Sequence, residues 1–213
     1  LLQLRWPVVG ARNEWLAIQR LHELGIDTMT LVGYGRQGIN PAAQRSFVIT
    51  EELANTRSLE DICAQWRTQK PVSTEHIKFK RALVQRIATI ARVLHQNGVN
   101  HRDFYLCHFL LEVSQGLPIV PPNKMCLYVI DLHRVQLRRH TPRRWIIKDI
   151  AALYFSSMDI GLTQRDLYRF IAAYSDTSLR AALQDRLCFW NKIRSRARIL
   201  YRSFHGRDPL PKY

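Results

Sequence analysis

Apolar residues near the start of the chain recur every three or four positions, which is the spacing of one face of an α-helix. This face consists of Val8, Ala11, Trp15, Ile18 and Leu21. A glycine follows at position 25, where a residue without a side chain commonly ends a helix. The pattern therefore predicts a helix over 8–24.

Two β-rich segments come next, and a stretch of turn-forming residues separates them. Residues 28–35 read TMTLVGYG and residues 45–50 read RSFVIT, while the residues between them include glycine, asparagine and proline. This arrangement is typical of two antiparallel strands joined by a turn. We predict a β-hairpin in this part of the chain.

Two helices are predicted in the middle of the chain. The first starts at a capping pair, Ser58 with Asp61 three residues later, and extends to about Gln69. The second covers 74–97, where apolar residues again recur at helical spacing, and Gly98 follows its end. Together they predict a largely helical region after the hairpin.

The second half of the chain begins with two short apolar segments, 109–113 and 126–130, separated by a loop with three prolines. We predict that the two segments are paired strands, because proline keeps the loop between them out of a sheet. After them, Thr141 is predicted as an N-cap and Pro142 as the first helical residue. The predicted helices in this part are 143–158, one starting near Thr163, and 179–205. The order of elements predicts an α+β fold with unequal lobes.

The composition is that of a globular protein with a substantial core. The chain has 213 residues, of which 46% are hydrophobic, enough for one large domain or two small lobes around a cleft. The apolar runs are shorter than the about 20 residues that span a bilayer. Four cysteines lack C-x-x-C spacing, which favours free thiols in a reducing cytoplasm: Cys63, Cys107, Cys126 and Cys188.

A strong positive charge narrows the choice of partners. The formal net charge is +15, and 25 of the 32 basic residues are arginine. The planar guanidinium group matches pairs of phosphate oxygens, whereas lysine offers a point charge. The charge favours an anionic partner such as nucleic acid, a phosphorylated lipid or sugar, or an acidic protein. A merely solubilising surface is the alternative.

Two acids are the candidates for chemistry. The segment VNHRDFYLCHFLLEV places Asp103 between a long helix and a buried strand, and Asp131 directly follows the second strand. If these strands pair, the two carboxylates approach each other at one end of the hairpin. Phosphoryl transfer needs such a pair, one to orient or deprotonate the attacking hydroxyl and one to hold a nucleotide-bound metal. A helix cap or a surface acid is the alternative role for Asp103.

These motifs resemble the protein kinase-like fold. HRDFYLCH stands where the catalytic loop H-R-D-L-x-x-x-x-N would stand, so the resemblance implies that Asp103 is the catalytic carboxylate. His108 then occupies the position of a metal-binding asparagine, and DLH at 131–133 matches the D-F-G position with Asp131 as the metal ligand. The resemblance implies ATP and Mg²⁺ as cofactors, with His108 touching both.

Further positions fit the same resemblance. Glu14 matches the helix glutamate that pairs with a strand lysine, and FVITEEL resembles the strand leading into the hinge, where the backbone at Glu51 and Leu53 would meet adenine. Asp149 resembles the buried helix acid that braces the backbone of the catalytic loop. The glycine-rich loop and the lysine that would pair with Glu14 are expected upstream of the first residue.

Three blocks in this order, PVVGARNEW, VNHRDFYLCHFLL and IKDIAALYFSS, resemble the lipopolysaccharide core heptose(I) kinase family, also called WaaP. The resemblance implies transfer of the ATP γ-phosphate to the first heptose of the inner core, at the cytoplasmic face of the inner membrane. It implies a protein kinase-like two-lobe fold. Residues 1–53 would form a small, incomplete N-lobe with a helix, a hairpin and a hinge strand. Residues 54–213 would form a mostly helical C-lobe with the catalytic loop, the metal-binding aspartate and basic C-terminal helices.

Two groups of basic residues are candidates for binding anionic partners. Arg134, Arg138 and Arg139 follow Asp131, in a segment that faces the acceptor in a kinase-like cleft, so we expect them to contact an anionic, lipid-linked sugar. A second group near the C-terminus would lie against the anionic inner-membrane surface or an acidic protein partner. Its members are Lys192, Arg194, Arg196, Arg198 and Arg202.

Two other functions stay open from the sequence. A kinase-like protein could act on tyrosine, serine or threonine side chains of proteins, and a basic module could bind nucleic acid. The second is disfavoured because Asp103 and Asp131 lie in the most basic neighbourhoods, where they would repel a phosphate backbone. A zinc site is also disfavoured, because the spacing of its candidate ligands fits no zinc pattern. Those candidates are His101, Cys107, His108 and His133.

Overall fold

One helix and one β-hairpin form the amino-terminal part of the structure. The computed structural model describes residues 10–38, 44–68, 73–113 and 122–209. Helix α1 spans Arg12–Glu23, and the antiparallel strands β1 and β2 span Leu31–Gln37 and Arg45–Thr50. The predicted helix and hairpin are therefore confirmed.

The start of α1 differs from the prediction and is fixed by the hairpin. Gly10 has φ +76°, a left-handed conformation that does not continue a helix. The backbone N–H of Ala11 donates a hydrogen bond of 2.9 Å to Oγ of Ser46 in β2. The helix therefore begins at Arg12 and not at Val8, which lies outside the described residues.

Five short strands follow in the rest of the chain: β3 (Thr56–Ser58), β4 (Val99–Asn100), β5 (Phe109–Glu112), β6 (Leu127–Val129) and β7 (Gln136–Leu137). The order in one antiparallel sheet is β3-β5-β6, and β4 pairs with β7 in a second. The predicted pairing of β5 with β6 is confirmed, with Phe109 opposite Val129. Strands of two or three residues carry no periodic pattern, so β3, β4 and β7 were not predicted.

Five more helices complete the described structure: α2 (Leu59–Cys63), α3 (Thr74–Gln96), α4 (Arg143–Ser156), α5 (Gln164–Ser175) and α6 (Leu179–His205). The capping pair is confirmed, because Oγ of Ser58 accepts a 3.1 Å hydrogen bond from the N–H of Asp61. The helix it starts is shorter than predicted, since a 3₁₀ turn over Ala64–Arg67 follows α2. The predicted end at Gln69 lies outside the described residues.

The beginning of α4 corrects one prediction. Pro142 is the N-cap residue, with extended backbone angles of φ −61° and ψ 138°, and the helix starts at Arg143. Thr141 does not cap the helix, because its hydroxyl donates to the carbonyl of Val99 at 3.3 Å. This bond ties the start of α4 to β4.

Helix α3 provides the core of the helical part. One face of it is buried, including Leu83, Ile87, Ile90, Ala91 and Leu94, and it packs against α5. Burial of each leucine or isoleucine side chain contributes roughly 1.5–3 kcal/mol of hydrophobic free energy. Within the described residues, none of the helices combines the length and apolar character needed to cross a membrane.

Gly98 joins α3 to β4 in a very confined position. Its φ is +77°, and its carbonyl accepts a 2.9 Å hydrogen bond from the N–H of Arg138. A Cβ atom at this position would lie 1.8 Å from the backbone oxygen of Arg138. A side chain here would therefore force apart the backbone that β4 and β7 share.

We expect Gly98→Ala to lower the free energy of unfolding by about 3 kcal/mol, from left-handed strain and the backbone clash combined. Gly25→Ala is the matched control, because Gly25 also follows a helix, has φ +66°, and has nothing within 4 Å of a built Cβ. That control should lose only about 1 kcal/mol. Urea unfolding measures both, and equal losses would contradict the clash.

Candidate active site

A buried carboxylate on α4 holds the segment that follows β4. The Oδ2 atom of Asp149 accepts from the backbone N–H of His101 at 2.7 Å, and Oδ1 accepts from that of Arg102 at 3.0 Å. Asp149 has no exposed surface. The prediction that this acid braces the catalytic loop is confirmed. Arg102 has φ +75°, so the bonds hold the backbone in a conformation that a residue other than glycine rarely adopts.

His101 joins the same loop to the end of β6. Its Nε2 donates to the backbone carbonyl of Ile130 at 3.0 Å, one residue before Asp131. Burial lowers the pKa of His101, so the ring is neutral, and the carbonyl partner places its single proton on Nε2. The two halves of the site are therefore connected through a buried, neutral histidine.

Most of the Asp103 side chain is buried in this assembly, and 14% of it is exposed. Its Oδ1 accepts a 2.6 Å hydrogen bond from Arg134, whose side chain is 46% exposed. Its Oδ2 is buried and has no hydrogen-bond partner among the described residues. An unpartnered buried carboxylate oxygen costs free energy.

His108 connects the two candidate acids. Its Nδ1 donates to the backbone carbonyl of Asp103 at 2.7 Å, and its Nε2 lies 3.2 Å from Oδ2 of Asp131. Because Nδ1 carries the proton, a neutral ring turns the Nε2 lone pair toward a carboxylate. Such an arrangement is stable only with a proton or a cation between the two atoms. His108 therefore links the backbone of Asp103 to the carboxylate of Asp131.

Asp131 has a constrained backbone and a second histidine partner. Its φ is +60°, and a 3₁₀ turn over Leu132–Arg134 follows it. Nδ1 of His133 contacts its Oδ1. Left-handed backbone at a residue other than glycine often occurs at functional sites, where the surrounding structure maintains it.

Helix α1 packs against this turn and brings Glu14 to it. The side-chain amide of Asn13 donates to the carbonyls of His133 and Val135, at 2.7 and 2.8 Å. Burial raises the pKa of Glu14, while the charge of His133 lowers it and that of Asp131 raises it further. Glu14 therefore lies within electrostatic reach of Asp131 and His133, and its pairing with a lysine stays a prediction. Asn13 was missed, because a lone asparagine in a helix gives no sequence signal.

The predicted hinge lies at the end of β2. Glu51 is exposed, and its backbone N–H donates to the carbonyl of Thr30 at 3.0 Å. The carbonyl of Leu53 accepts from the hydroxyl of Thr56 at 2.8 Å. These bonds fix the backbone of the segment, and its contact with adenine stays a prediction.

The three arginines predicted to contact the acceptor occupy different places. Arg134 reaches Asp103, as described above. Arg138 donates to the side-chain oxygens of Asn100 and Gln136, at 2.8 and 2.7 Å, and Arg139 is exposed. The structure therefore brings only Arg134 to the candidate catalytic carboxylate, and the role of the other two in acceptor binding stays a prediction.

The described residues contain no group of three or more histidine, cysteine, aspartate or glutamate side chains placed to hold a metal ion. The predicted role of Asp131 and His108 in binding Mg²⁺ stays a prediction.

A separate apolar cavity opens in the helical part, away from these acids. Its volume is about 800 Å³, and apolar residues of α3 to α6 supply much of its lining, with Arg194 and Arg198 of α6 beside them. Leu106 and Ile150, adjacent to the catalytic loop and to Asp149, form part of its wall. The cavity contains neither Asp103 nor Asp131 and is distinct from the candidate active site.

Comparison with known proteins agrees with this geometry. The lipopolysaccharide kinase (Kdo/WaaP) family matches residues 1–174. The lipopolysaccharide core heptose(I) kinase WaaP of Escherichia coli K12 is 50% identical over 184 residues, which cover 86% of this chain and 66% of that protein. The protein of that name from Pseudomonas aeruginosa is 48% identical over 201 residues, 94% of this chain and 72% of that protein.

A solved structure described as WaaP in complex with acyl carrier protein superposes with a TM-score of 0.79 at 49% identity. The match covers 90% of this chain and 77% of that one. The predicted kinase-like α+β fold is thereby confirmed. This chain spans about two thirds of the length of the E. coli relative. The family match over most of the chain, with a braced H-R-D loop and a second acid joined to it by His108, shows that the chain belongs to the lipopolysaccharide kinase (Kdo/WaaP) family.

Proposed function

We propose that this chain is a lipopolysaccharide core heptose kinase that transfers the γ-phosphate of ATP to a hydroxyl of the first heptose in the inner core. The relatives from Escherichia coli and Pseudomonas aeruginosa are both named as lipopolysaccharide core heptose(I) kinases, which supports a heptose as the acceptor. The observation that carries the proposal is the junction of the two acids, in which His108 binds the carbonyl of Asp103 and lies 3.2 Å from Asp131. This junction supplies a base and a metal ligand side by side.

Asp103 is the residue that receives the proton. The heptose oxygen attacks the γ-phosphorus, a new O–P bond forms, the bond to the β–γ bridging oxygen breaks, and the hydroxyl proton moves to the carboxylate. Arg134 holds Oδ1, so Oδ2 is the atom without a partner in the described structure. Arg134 also brings a positive charge to the place where negative charge gathers on the transferred group.

The residues at Asp131 fit a nucleotide-bound Mg²⁺. A carboxylate oxygen faces an imidazole nitrogen at 3.2 Å, so a cation bound beside them would be shared by both atoms. Asp131 and His108 would hold the ion, which supplies neutralisation of the β- and γ-phosphates. Glu14, pointing at the same segment, would position the lysine that binds the phosphates, and the backbone at Glu51 and Leu53 would meet adenine.

The exposed basic side chains of α6 support an acidic protein partner at this helix. Lys192, Arg194 and Arg196 are exposed, whereas Arg198 and Arg202 make ion pairs with Asp208. A relative was solved with acyl carrier protein, which is the partner we propose for this surface. The apolar cavity beside Arg194 has the character that an acyl chain on such a partner requires. We also propose that the chain works at the cytoplasmic face of the inner membrane, where ATP and the lipid-linked acceptor meet.

Asp103→Asn should reduce phosphate transfer to the acceptor by about 10²–10⁴-fold, because the amide cannot take the proton. The measurement is transfer of labelled γ-phosphate from ATP to lipopolysaccharide that lacks phosphate on its first heptose. An unchanged melting temperature shows that the fold is retained. A rate equal to that of the unmodified chain would contradict the role of Asp103. Transfer to peptides instead of lipopolysaccharide would favour the protein-kinase alternative.

His108→Asn should keep most of the activity, because its side-chain oxygen can still ligate Mg²⁺. His108→Leu removes the ligand with a similar volume and should lower the rate about tenfold or more at limiting Mg²⁺. Titrating the rate against Mg²⁺ concentration separates the two variants. Equal rates for both variants at every Mg²⁺ concentration would show that His108 does not bind the ion.

Lys192→Glu combined with Arg196→Glu should weaken binding of acyl carrier protein at least about tenfold, since both exposed charges are reversed one helical turn apart. Lys78→Glu with Arg81→Glu makes the same change on the exposed side of α3 and serves as the control. Co-elution in size-exclusion chromatography at low salt measures the effect. Equal weakening in both double variants would assign the attraction to net charge rather than to α6.

A further inference from the structure

A short turn after β6 sends one side chain to each of the two candidate acids. It comprises residues 131–135 and contains one 3₁₀ segment. Arg134 in this turn donates to Oδ1 of Asp103 at 2.6 Å, and His133 contacts Oδ1 of Asp131. The orientation of the turn therefore decides how Arg134 meets the candidate catalytic carboxylate.

The turn is anchored to the core at two points. Leu132 and Val135 are buried, and the N–H of Val135 donates to the carbonyl of Leu132 at 3.0 Å. A 3₁₀ segment of three residues has poorer hydrogen-bond geometry than an α-helix and leaves carbonyls near its end without a partner in the segment. Arg134 itself is exposed. The backbone on either side of it thus depends on a partner from elsewhere in the chain.

Asn13, in the first turn of α1, is that partner. Its side-chain amide donates to the carbonyl of His133 at 2.7 Å and to the carbonyl of Val135 at 2.8 Å. A side-chain amide has two N–H donors, so both are used on this turn. The two carbonyls lie on either side of Arg134 in the sequence. The bonds therefore hold the backbone from which the Arg134 side chain extends.

The start of α1 is itself fixed, which makes Asn13 a rigid donor. Its backbone N–H donates to the carbonyl of Gly10 at 3.2 Å, and the N–H of Ala11 donates to Oγ of Ser46 in β2 at 2.9 Å. A Cβ atom at Gly10 would lie 2.1 Å from that same oxygen, so the helix start lies directly against the strand. Asn13 therefore links the hairpin and α1 to a turn 120 residues later in the chain.

We propose that Asn13 is a positioning residue, which holds the turn over 131–135 in the orientation that places Arg134 on Oδ1 of Asp103. Its effect on the reaction passes through Arg134 and not through a contact of its own with a substrate. This inference rests on the proposed function, because it takes Asp103 as the base. While Arg134 holds Oδ1, the hydroxyl proton is directed to Oδ2. When the turn shifts, the carboxylate loses that orientation.

Asn13→Ala removes both donors and keeps a good helix former in α1. Asn97→Ala is the matched control, because the side-chain amide of Asn97 donates to the carbonyl of Val93 at 2.8 Å at the exposed end of α3. We expect kcat to fall about tenfold in Asn13→Ala, with KM for ATP and for the acceptor within about twofold of the unmodified values. The control should leave all three unchanged. Asn13→Asp, which has nearly the same size and also lacks the donors, should repeat the loss.

A double-mutant cycle tests whether the effect passes through Arg134. Arg134→Ala removes the group that Asn13 positions. In that background Asn13→Ala should lower kcat by less than about twofold, because the contact with Asp103 is already lost. An equal loss of kcat in both backgrounds would overturn the inference, and so would an unchanged kcat in Asn13→Ala alone.

Hydrogen exchange measured by NMR separates this inference from the proposed function, because it requires no activity. Without the amide of Asn13 the turn opens more often, so the backbone N–H of Val135 should exchange about tenfold faster in Asn13→Ala and at the unmodified rate in Asn97→Ala. If it does so while the unmodified chain phosphorylates no acceptor, the contact stands and the proposed function fails. If exchange at Val135 is unchanged while the unmodified chain phosphorylates lipopolysaccharide, the inference is wrong and the kinase proposal stands.

Discussion

The site depends on one buried carboxylate, Asp149, and its bonds to two consecutive backbone N–H groups. Removing a carboxylate from water costs several kcal/mol unless strong hydrogen bonds replace the lost hydration. The N–H groups of His101 and Arg102 do so at 2.7 and 3.0 Å. The same bonds hold Arg102 at φ +75°, a conformation that would otherwise relax. Since Asp103 is the next residue, the position of this candidate catalytic carboxylate follows from that of Asp149.

Histidines extend this constraint to the second acid. His101 connects the loop to the carbonyl of Ile130, and His108 connects the carbonyl of Asp103 to the carboxylate of Asp131. The two rings are nearly parallel, with centroids 6.0 Å apart. The β5–β6 hairpin brings Asp131 near the loop, but the histidines set its orientation. The His108 side chain is therefore a rigid, planar spacer between the backbone of Asp103 and the carboxylate of Asp131.

Long periodic patterns and motifs could be predicted from the sequence, whereas contacts between distant short segments could not. Helix α3 and the β5–β6 hairpin follow from the spacing of apolar residues along the chain. The role of Asp149 was predicted because it resembles the buried helix acid that braces the catalytic loop in the kinase-like fold. The pairing of β4 with β7 was missed because two-residue strands have no period, and their partner is chosen by the close approach of Gly98 to Arg138. Similarly, the hydrogen bonds from the guanidinium of Arg138 to Asn100 and Gln136 join separate short segments and could not be predicted from spacing.

The electrostatic effect of the net charge of +15 depends on which cations are paired with an acid. Arg134 is paired with Asp103 and Arg202 with Asp208, so these charges contribute little to the long-range field. Around Trp145, by contrast, the cations of Arg102, Arg144 and Lys148 lie 5.9, 5.6 and 4.1 Å from the centroid of one ring. Repulsion between like charges at such short range lowers stability. The location of each charge, more than the total, therefore decides what the basic residues contribute to the electrostatic potential of this chain.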